Sequence, residues 1–92
     1  MDIKVESDDK RVKIVGRGYA DGAVYTIHID DVEFGGTPDL GRQPSFQMML
    51  SYMSIMGPTI RLEASRREMQ GKKVYQELLK KVKEKAEEEK KK

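Results

Sequence analysis

The sequence predicts a small single α+β domain, in which an antiparallel sheet packs on a Met-rich central helix and a C-terminal helix. Apolar residues alternate with polar ones over much of residues 2–34, which is the period of half-buried strands. Residues 45–56 and 72–88 instead space their apolar residues as helices do. The predicted order along the chain is β-β-β-α-β-α, with residues 1–88 forming the domain and 89–92 a frayed charged tail.

Turn signals separate the first three strands. Residues 2–6 alternate around Ile3 and Val5, and a second alternating run covers residues 12–19. The Asp21-Gly22 pair then predicts a hairpin, because Asp-Gly takes the positive φ angles that a type I′ turn needs. Residues 24–30 are the predicted return strand.

The return strand is predicted to end in a turn at Asp30 and Asp31. Just before the turn the apolar residues have odd numbers, whereas Val32 and Phe34 have even numbers. Because such a shift by one residue would exchange the two faces of a straight strand, a turn is favoured here. Residues 35–41 contain three glycines and a proline, which predicts a loop. As the longest predicted loop, it is a favoured place for a binding contact.

The central helix is predicted to begin after a Ser45 cap and to end at Gly57-Pro58. One apolar stripe, at helical spacing, is assigned to the core: Phe46, Met49, Leu50, Met53 and Met56. A second stripe consists of Met48, Tyr52 and Ile55. A helix that is apolar on most sides is buried on most sides, so either the helix is sandwiched between the sheet and another helix, or one stripe meets a second copy of the protein.

Residues 59–65 fit two structures. They alternate strictly in polarity, which favours a strand. A helix is the alternative, since Pro58 at a first helical position and Gly71 just past an end would frame one. The strand is preferred, because a helix would place Ile60 and Ala64 nearly opposite Leu62. The helix from Lys72 onwards is unambiguous.

Charge is distributed unevenly along the 92 residues. Residues 1–71 carry nine Lys and Arg against eleven Asp and Glu, whereas residues 72–92 carry nine Lys against five Glu. The basic excess of the whole chain, +2, therefore lies in its C-terminal helix and tail. A nucleic-acid-binding domain usually has a basic stripe on its folded body, and this body is slightly acidic.

No recognisable catalytic or metal-binding arrangement is found in the sequence. The chain has no cysteine and a single histidine, His28, so thiol chemistry is excluded and a histidine-based site lacks partners. The acidic pairs do not have the spacing of a calcium loop. We therefore expect no enzymatic activity, no cofactor and no metal.

Two stretches resemble parts of known families. A helix opening at Ser45, with Gly57, an alternating segment and a closing helix, resembles the second half of an HPr phosphocarrier, whose phosphorylated His-x-Arg-Pro motif is absent here. Gly35-Gly36, followed by Pro44-Ser45 and the Met/Leu helix, is similar to the start of the central helix in OsmC-type peroxide-reducing proteins. Those proteins depend on cysteines, so neither activity is expected.

The leading hypothesis from the sequence is a non-enzymatic interaction or assembly protein. It would form a homodimer, or bind another protein, through Met48, Tyr52 and Ile55 or through an exposed sheet edge. The alternative is a small module that binds RNA or DNA through the Lys-rich C-terminal helix and a basic cluster, namely Arg42, Arg61, Arg66 and Arg67. The lack of asparagine and the many Lys and Glu residues favour a thermostable protein. A cytoplasmic location is expected, with no membrane contact.

Overall fold

The computed structural model describes residues 1–91 and shows a small α+β domain with a four-stranded antiparallel sheet and two helices. Its elements are β1 (Ile3–Glu6), β2 (Val12–Tyr19), β3 (Gly22–Ile29), β4 (Val32–Leu40), α1 (Phe46–Arg66) and α2 (Gly71–Lys90). The order is β-β-β-β-α-α, so the predicted order β-β-β-α-β-α is wrong. The prediction placed a strand after the first helix, where the structure has helix, and missed the fourth strand.

The sheet is a simple meander whose strands lie in chain order, β1-β2-β3-β4. One face of the sheet packs against both helices: α1 contacts β2 and β3, and α2 contacts β1. Alternation in β2 and β3 supplies this face with fully buried side chains, which are Val12, Ile14, Tyr25, Ile27 and Ile29. The helices contribute Met49, Met53, Ile60, Leu78 and Val82 to the same core.

Asp30 and Asp31 form the two-residue turn between β3 and β4, as the parity change predicts. Both have positive φ, 50° and 67°, which is the type I′ geometry that fits the twist of a hairpin. Arg11, the residue before β2, holds the turn by donating to both carboxylate oxygens of Asp30 at 2.7 and 2.8 Å. At the β2–β3 hairpin Tyr19 pairs with Gly22, so the turn lies one residue before the predicted Asp-Gly pair.

We expect Asp30→Asn to weaken the fold at neutral pH but not in acid. The hydrogen bonds from Arg11 lower the pKa of Asp30 below its ordinary 3.8. A lowered pKa stabilises the folded state above the unfolded pKa, and the stabilisation is lost as the pH falls through the lower folded value. Asn keeps the shape and tolerates positive φ. In urea titrations from pH 7 to pH 2, the two proteins should converge below about pH 4, whereas a pH-independent difference would contradict the prediction.

The segment from Gly35 to Gly41, predicted as a loop, is mostly the second half of β4. Two residues of β4, Gly35 and Gly36, oppose Thr26 of β3 at a register shift, which is a β-bulge. Both glycines have positive φ, 73° and 147°. A strand with a bulge and a proline is tolerated at the edge of a sheet, because its outer backbone groups need no partner strand. Glycine and proline therefore indicate an edge strand here.

The helix α1 does not end at Gly57-Pro58, and residues 59–65 are helical, so the preferred strand is wrong. Pro58 is exposed, and its missing N–H leaves only the Ser54 carbonyl without its helical donor. In compensation, Ile60 and Ala64 are fully buried and extend the core stripe of α1 by two turns. Leu62 faces outward, so the alternating polarity of this segment does not reflect a strand.

The two helices form an antiparallel hairpin with close contacts at both ends. Near the turn, Gly71 approaches the backbone of Arg61, and further along Gly57 lies under the ring of Tyr75. At the far end, the Glu89 carboxylate accepts hydrogen bonds from the first free backbone N–H groups of α1, at 2.6 and 3.1 Å. Glu89 falls in the segment predicted as a charged tail, and in the structure it caps α1 together with Ser45.

Candidate interaction surface on the first helix

The outward side of α1 carries no charge over its first fifteen residues, Phe46 to Ile60. Its exposed residues there are small, polar or apolar, and Leu62 continues the same side one turn later. We call this surface the α1 face, and it consists of Gln47, Ser51, Ser54, Ile55, Pro58 and Leu62. Ile55 and Leu62 are 67% and 59% exposed.

The second helix shows that this lack of charge is specific to α1. Nine of the ten exposed residues of α2 are Lys or Glu, and the tenth is Gln76. Charged residues also make up 37% of the whole chain. Protein–protein interfaces are depleted of charge at their centre, and small residues allow another backbone to come close. The α1 face has both properties, and α2 has neither.

The three residues of the predicted interface stripe lie at different depths. Ile55 is exposed and Met48 is half-buried at the margin of the α1 face. Tyr52 is only 2% exposed, and its ring lies 5.8 Å from that of Tyr25 in the core. Leu62 follows Ile55 by two helical turns and belongs to the same side of α1. It is not predicted from the sequence, because the strand preferred for residues 59–65 does not have helical spacing.

A cleft of about 90 Å³ separates the α1 face from β4. Its walls are Tyr25, Thr37, Pro38, Asp39, Met48, Ser51, Tyr52 and Ile55. Two buried polar atoms at this cleft, Asp39 Oδ2 and the Tyr52 hydroxyl, have no hydrogen-bond partner among residues 1–91. Buried polar groups are nearly always paired, so these two atoms are the candidates at the cleft for a hydrogen bond to a binding partner.

The environment of the cleft is apolar and negative. Burial raises the pKa of Tyr52 to about 12, and the nearby Glu33 carboxylate contributes to the rise. Burial also raises the pKa of Tyr25, and the charge of Asp39 adds to it. The backbone of Ser45 both donates to and accepts from the Tyr25 hydroxyl. Both phenols therefore stay neutral at physiological pH, and Asp39, the carboxylate that lines the cleft, favours a cation there.

The four arginines of the predicted phosphate site do not form one cluster. Arg66 and Arg67 both pair with Glu63, at 3.2 and 3.1 Å. Arg61 lies over the ring of Tyr75, at 5.1 Å from its centroid. Arg42 precedes α1, so along the helix it lies at least about 20 Å from Arg61 and about 30 Å from Arg66 and Arg67.

The outer face of the sheet, which the described helices do not cover, carries paired charges. Its three cations lie near acids, in the pairs Lys4–Glu6, Lys13–Asp31 and Arg17–Glu33 at 3.3, 3.9 and 3.6 Å. His28 lies among them, with Nε2 2.9 Å from Thr26 Oγ1. Among residues 1–91 no group of three or more His, Cys, Asp or Glu could hold a metal ion. This face therefore offers no concentrated positive charge to a polyanion.

Both edges of the sheet are poorly suited to strand addition. The edge strand β1 is only four residues long, and Lys81 of α2 donates to the Glu6 carbonyl at 2.8 Å. The other edge, β4, contains the Gly35–Gly36 bulge and Pro38. Short strands, bulges and prolines are the devices that prevent edge-to-edge pairing. Of the two association surfaces suggested by the sequence, the helix is therefore better supported.

No family model, curated protein or solved structure matches this chain. No helix within residues 1–91 is long and apolar enough to cross a membrane.

Proposed function

We propose that this protein is a non-enzymatic assembly protein that forms a homodimer through the α1 face. The observation that carries the proposal is the uncharged outer side of α1 from Phe46 to Ile60, since nine of the ten exposed residues of α2 are charged. Exposing Ile55 and Leu62 to water has a cost of about 25 cal/mol for each Å² of apolar surface. A partner helix would remove this cost.

The partner that suits this surface best is a second copy of the chain. Most soluble oligomers are symmetric dimers, in which the same patch of each subunit contacts the other. If two α1 helices cross in antiparallel orientation at Ser51, Met48 lies beside Ile55 of the partner subunit. Two apolar side chains of each subunit, Met48 and Ile55, are then covered by one symmetric contact.

The small volume of this cleft favours the side chain of a partner over a small-molecule substrate as its occupant. Sites for small-molecule substrates usually enclose about 300–1,000 Å³, and the cleft beside the α1 face encloses about 90 Å³. That space accommodates one side chain of a partner. An arginine-based RNA or DNA site has less support, since Arg61, Arg66 and Arg67 already contact acidic or aromatic side chains.

We expect Ile55→Glu to dissociate the dimer. A carboxylate at the centre of the interface would lose its water without gaining a partner, and we expect the dissociation constant to rise about 30-fold or more. Sedimentation velocity over a series of concentrations measures this constant. Gln76→Glu is the matched control, because it adds the same charge to the exposed side of α2 and should leave the constant unchanged. A wild-type protein that stays monomeric at high micromolar concentration would refute the proposed function.

A further inference from the structure

Asp39 lines the cleft beside the α1 face and has an unpaired carboxylate oxygen. Its Oδ2 atom is buried and accepts no hydrogen bond from residues 1–91. An unpaired buried acceptor is unfavourable, and more so if it is charged. A donor supplied from outside this chain would remove that cost.

The cleft has the size and lining that suit a guanidinium group. Its volume of about 90 Å³ accommodates one such group, and two tyrosines, Tyr25 and Tyr52, contribute to its walls. Guanidinium groups stack on aromatic rings and donate two parallel hydrogen bonds to a carboxylate. An arginine side chain can therefore satisfy Asp39 and fill the apolar part of the cleft together.

Arg42 is the arginine placed to reach the same site on a second copy. It follows Asp39 by three residues, and its one hydrogen-bond contact within residues 1–91 is Met48 Sδ at 4.0 Å. It takes part in none of the ion pairs among those residues. Asp39 and Arg42 thus place an acid and a base close together in the chain without an ion pair between them. Such a patch is complementary to a second copy of itself, as a two-fold interface requires.

We propose that the guanidinium of Arg42 enters the cleft of the partner subunit and donates to the partner's Asp39, with the reciprocal contact formed by the symmetry. This inference rests on the proposed dimer. Crossing the helices at Ser51 puts Met48 beside the partner's Ile55. Met48 contacts Arg42, and Ile55 lines the cleft, so the crossing brings Arg42 towards the cleft of the partner. One crossing thus satisfies both the apolar contact and the charge pair.

Interface area also favours this wider contact. A helix of 21 residues is about 32 Å long, and a strip about 10 Å wide along it covers roughly 300 Å². Stable interfaces bury about 800 Å² on each partner. The α1 face alone is therefore too small, and the adjoining segment from Asp39 to Arg42 supplies further contact surface.

The test mixes two charge-reversal variants, Arg42→Glu and Asp39→Lys. In each variant alone the two reciprocal contacts become repulsive, and we expect the dimer to weaken about tenfold or more. In an equimolar mixture both contacts of the heterodimer join opposite charges, so sedimentation velocity should recover a dimer within about threefold of the wild-type affinity. An Arg42–Asp39 pair within one chain would not be restored by mixing, and that result would overturn the inference.

Two further measurements separate the ways in which the test can fail. Circular dichroism melts establish that each variant folds. If Asp39→Lys does not fold, the neutral variants Arg42→Gln and Asp39→Asn replace the reversals. Each should then weaken the dimer by the same factor, and the double variant should weaken it no further. Additive losses would refute the contact while leaving the dimer intact, whereas a monomeric wild type refutes the proposed function itself.

Discussion

Gly71→Ala is expected to destabilise the protein by about 3 kcal/mol, because the α1–α2 hairpin has no space for a methyl group at this position. A Cβ atom on Gly71 would overlap the Arg61 carbonyl and would lie 2.6 Å from Ser65 Oγ. The side chain of Ser65 can rotate away, but the carbonyl belongs to the backbone of α1 and can move only with the helix. For a domain of this size, the loss corresponds to a melting temperature lower by roughly 10–20 °C.

Gly41→Ala is the control for the general effect of replacing a glycine. Gly41 has a φ of 80°, and nothing lies within 4 Å of its Cβ position, so the substitution strains the backbone without a clash. We expect it to cost about 1 kcal/mol. Guanidinium unfolding curves of both variants measure the difference. Equal losses at the two positions would contradict the close helix contact at Gly71.

The elements predicted from the sequence are those whose polarity pattern reflects which side is buried. Strands β1, β2 and β3 alternate because one face packs on helices and the other meets water. Helix α2 is predictable for a similar reason, since its buried residues repeat at helical spacing. In these segments local pattern and tertiary environment agree.

The two errors in the fold come from segments where the pattern has another cause. In β4, glycine and proline are typical of a loop when only the local sequence is considered. The strand tolerates both residues because it lies at the edge of the sheet. Residues 59–65 alternate in polarity although they are helical, because Leu62 lies on the exposed side of α1. In the proposed dimer this side of α1 contacts the partner, and local patterns are expected to fail at such functional sites.

The candidate surface was partly visible in the sequence. Helical spacing alone places Met48 and Ile55 on a second stripe, and the absence of charged residues from 46 to 60 can be counted directly. The burial of Tyr52 could not be predicted, because it depends on β3, which supplies the neighbouring ring of Tyr25. The cleft and its unpaired Asp39 oxygen likewise require β4 to lie beside α1, and the sequence predicts a loop for the second half of this strand, residues 35–40.

Two isoleucines of α1 separate the contribution of the fold from that of the interface. Ile60 is fully buried against the core, and Ile55 is 67% exposed. Ile60→Ala should lower the free energy of unfolding by about 2–5 kcal/mol, through lost apolar burial and the cavity left behind. Ile55→Ala removes the same atoms from the surface and should change the stability of the monomer by less than about 0.5 kcal/mol.

When dimer affinity is measured instead of stability, Ile55→Ala should have the larger effect and Ile60→Ala the smaller one. Under conditions in which both variants remain folded, Ile60→Ala should leave the dimer affinity unchanged, because Ile60 faces the core of its own subunit. Ile55→Ala should weaken the dimer about tenfold. Chemical unfolding at low protein concentration and sedimentation at high concentration give the two quantities independently. If Ile55→Ala lowers monomer stability as strongly as Ile60→Ala, the outer side of α1 is packed within one chain, and the surface proposed for the partner does not exist.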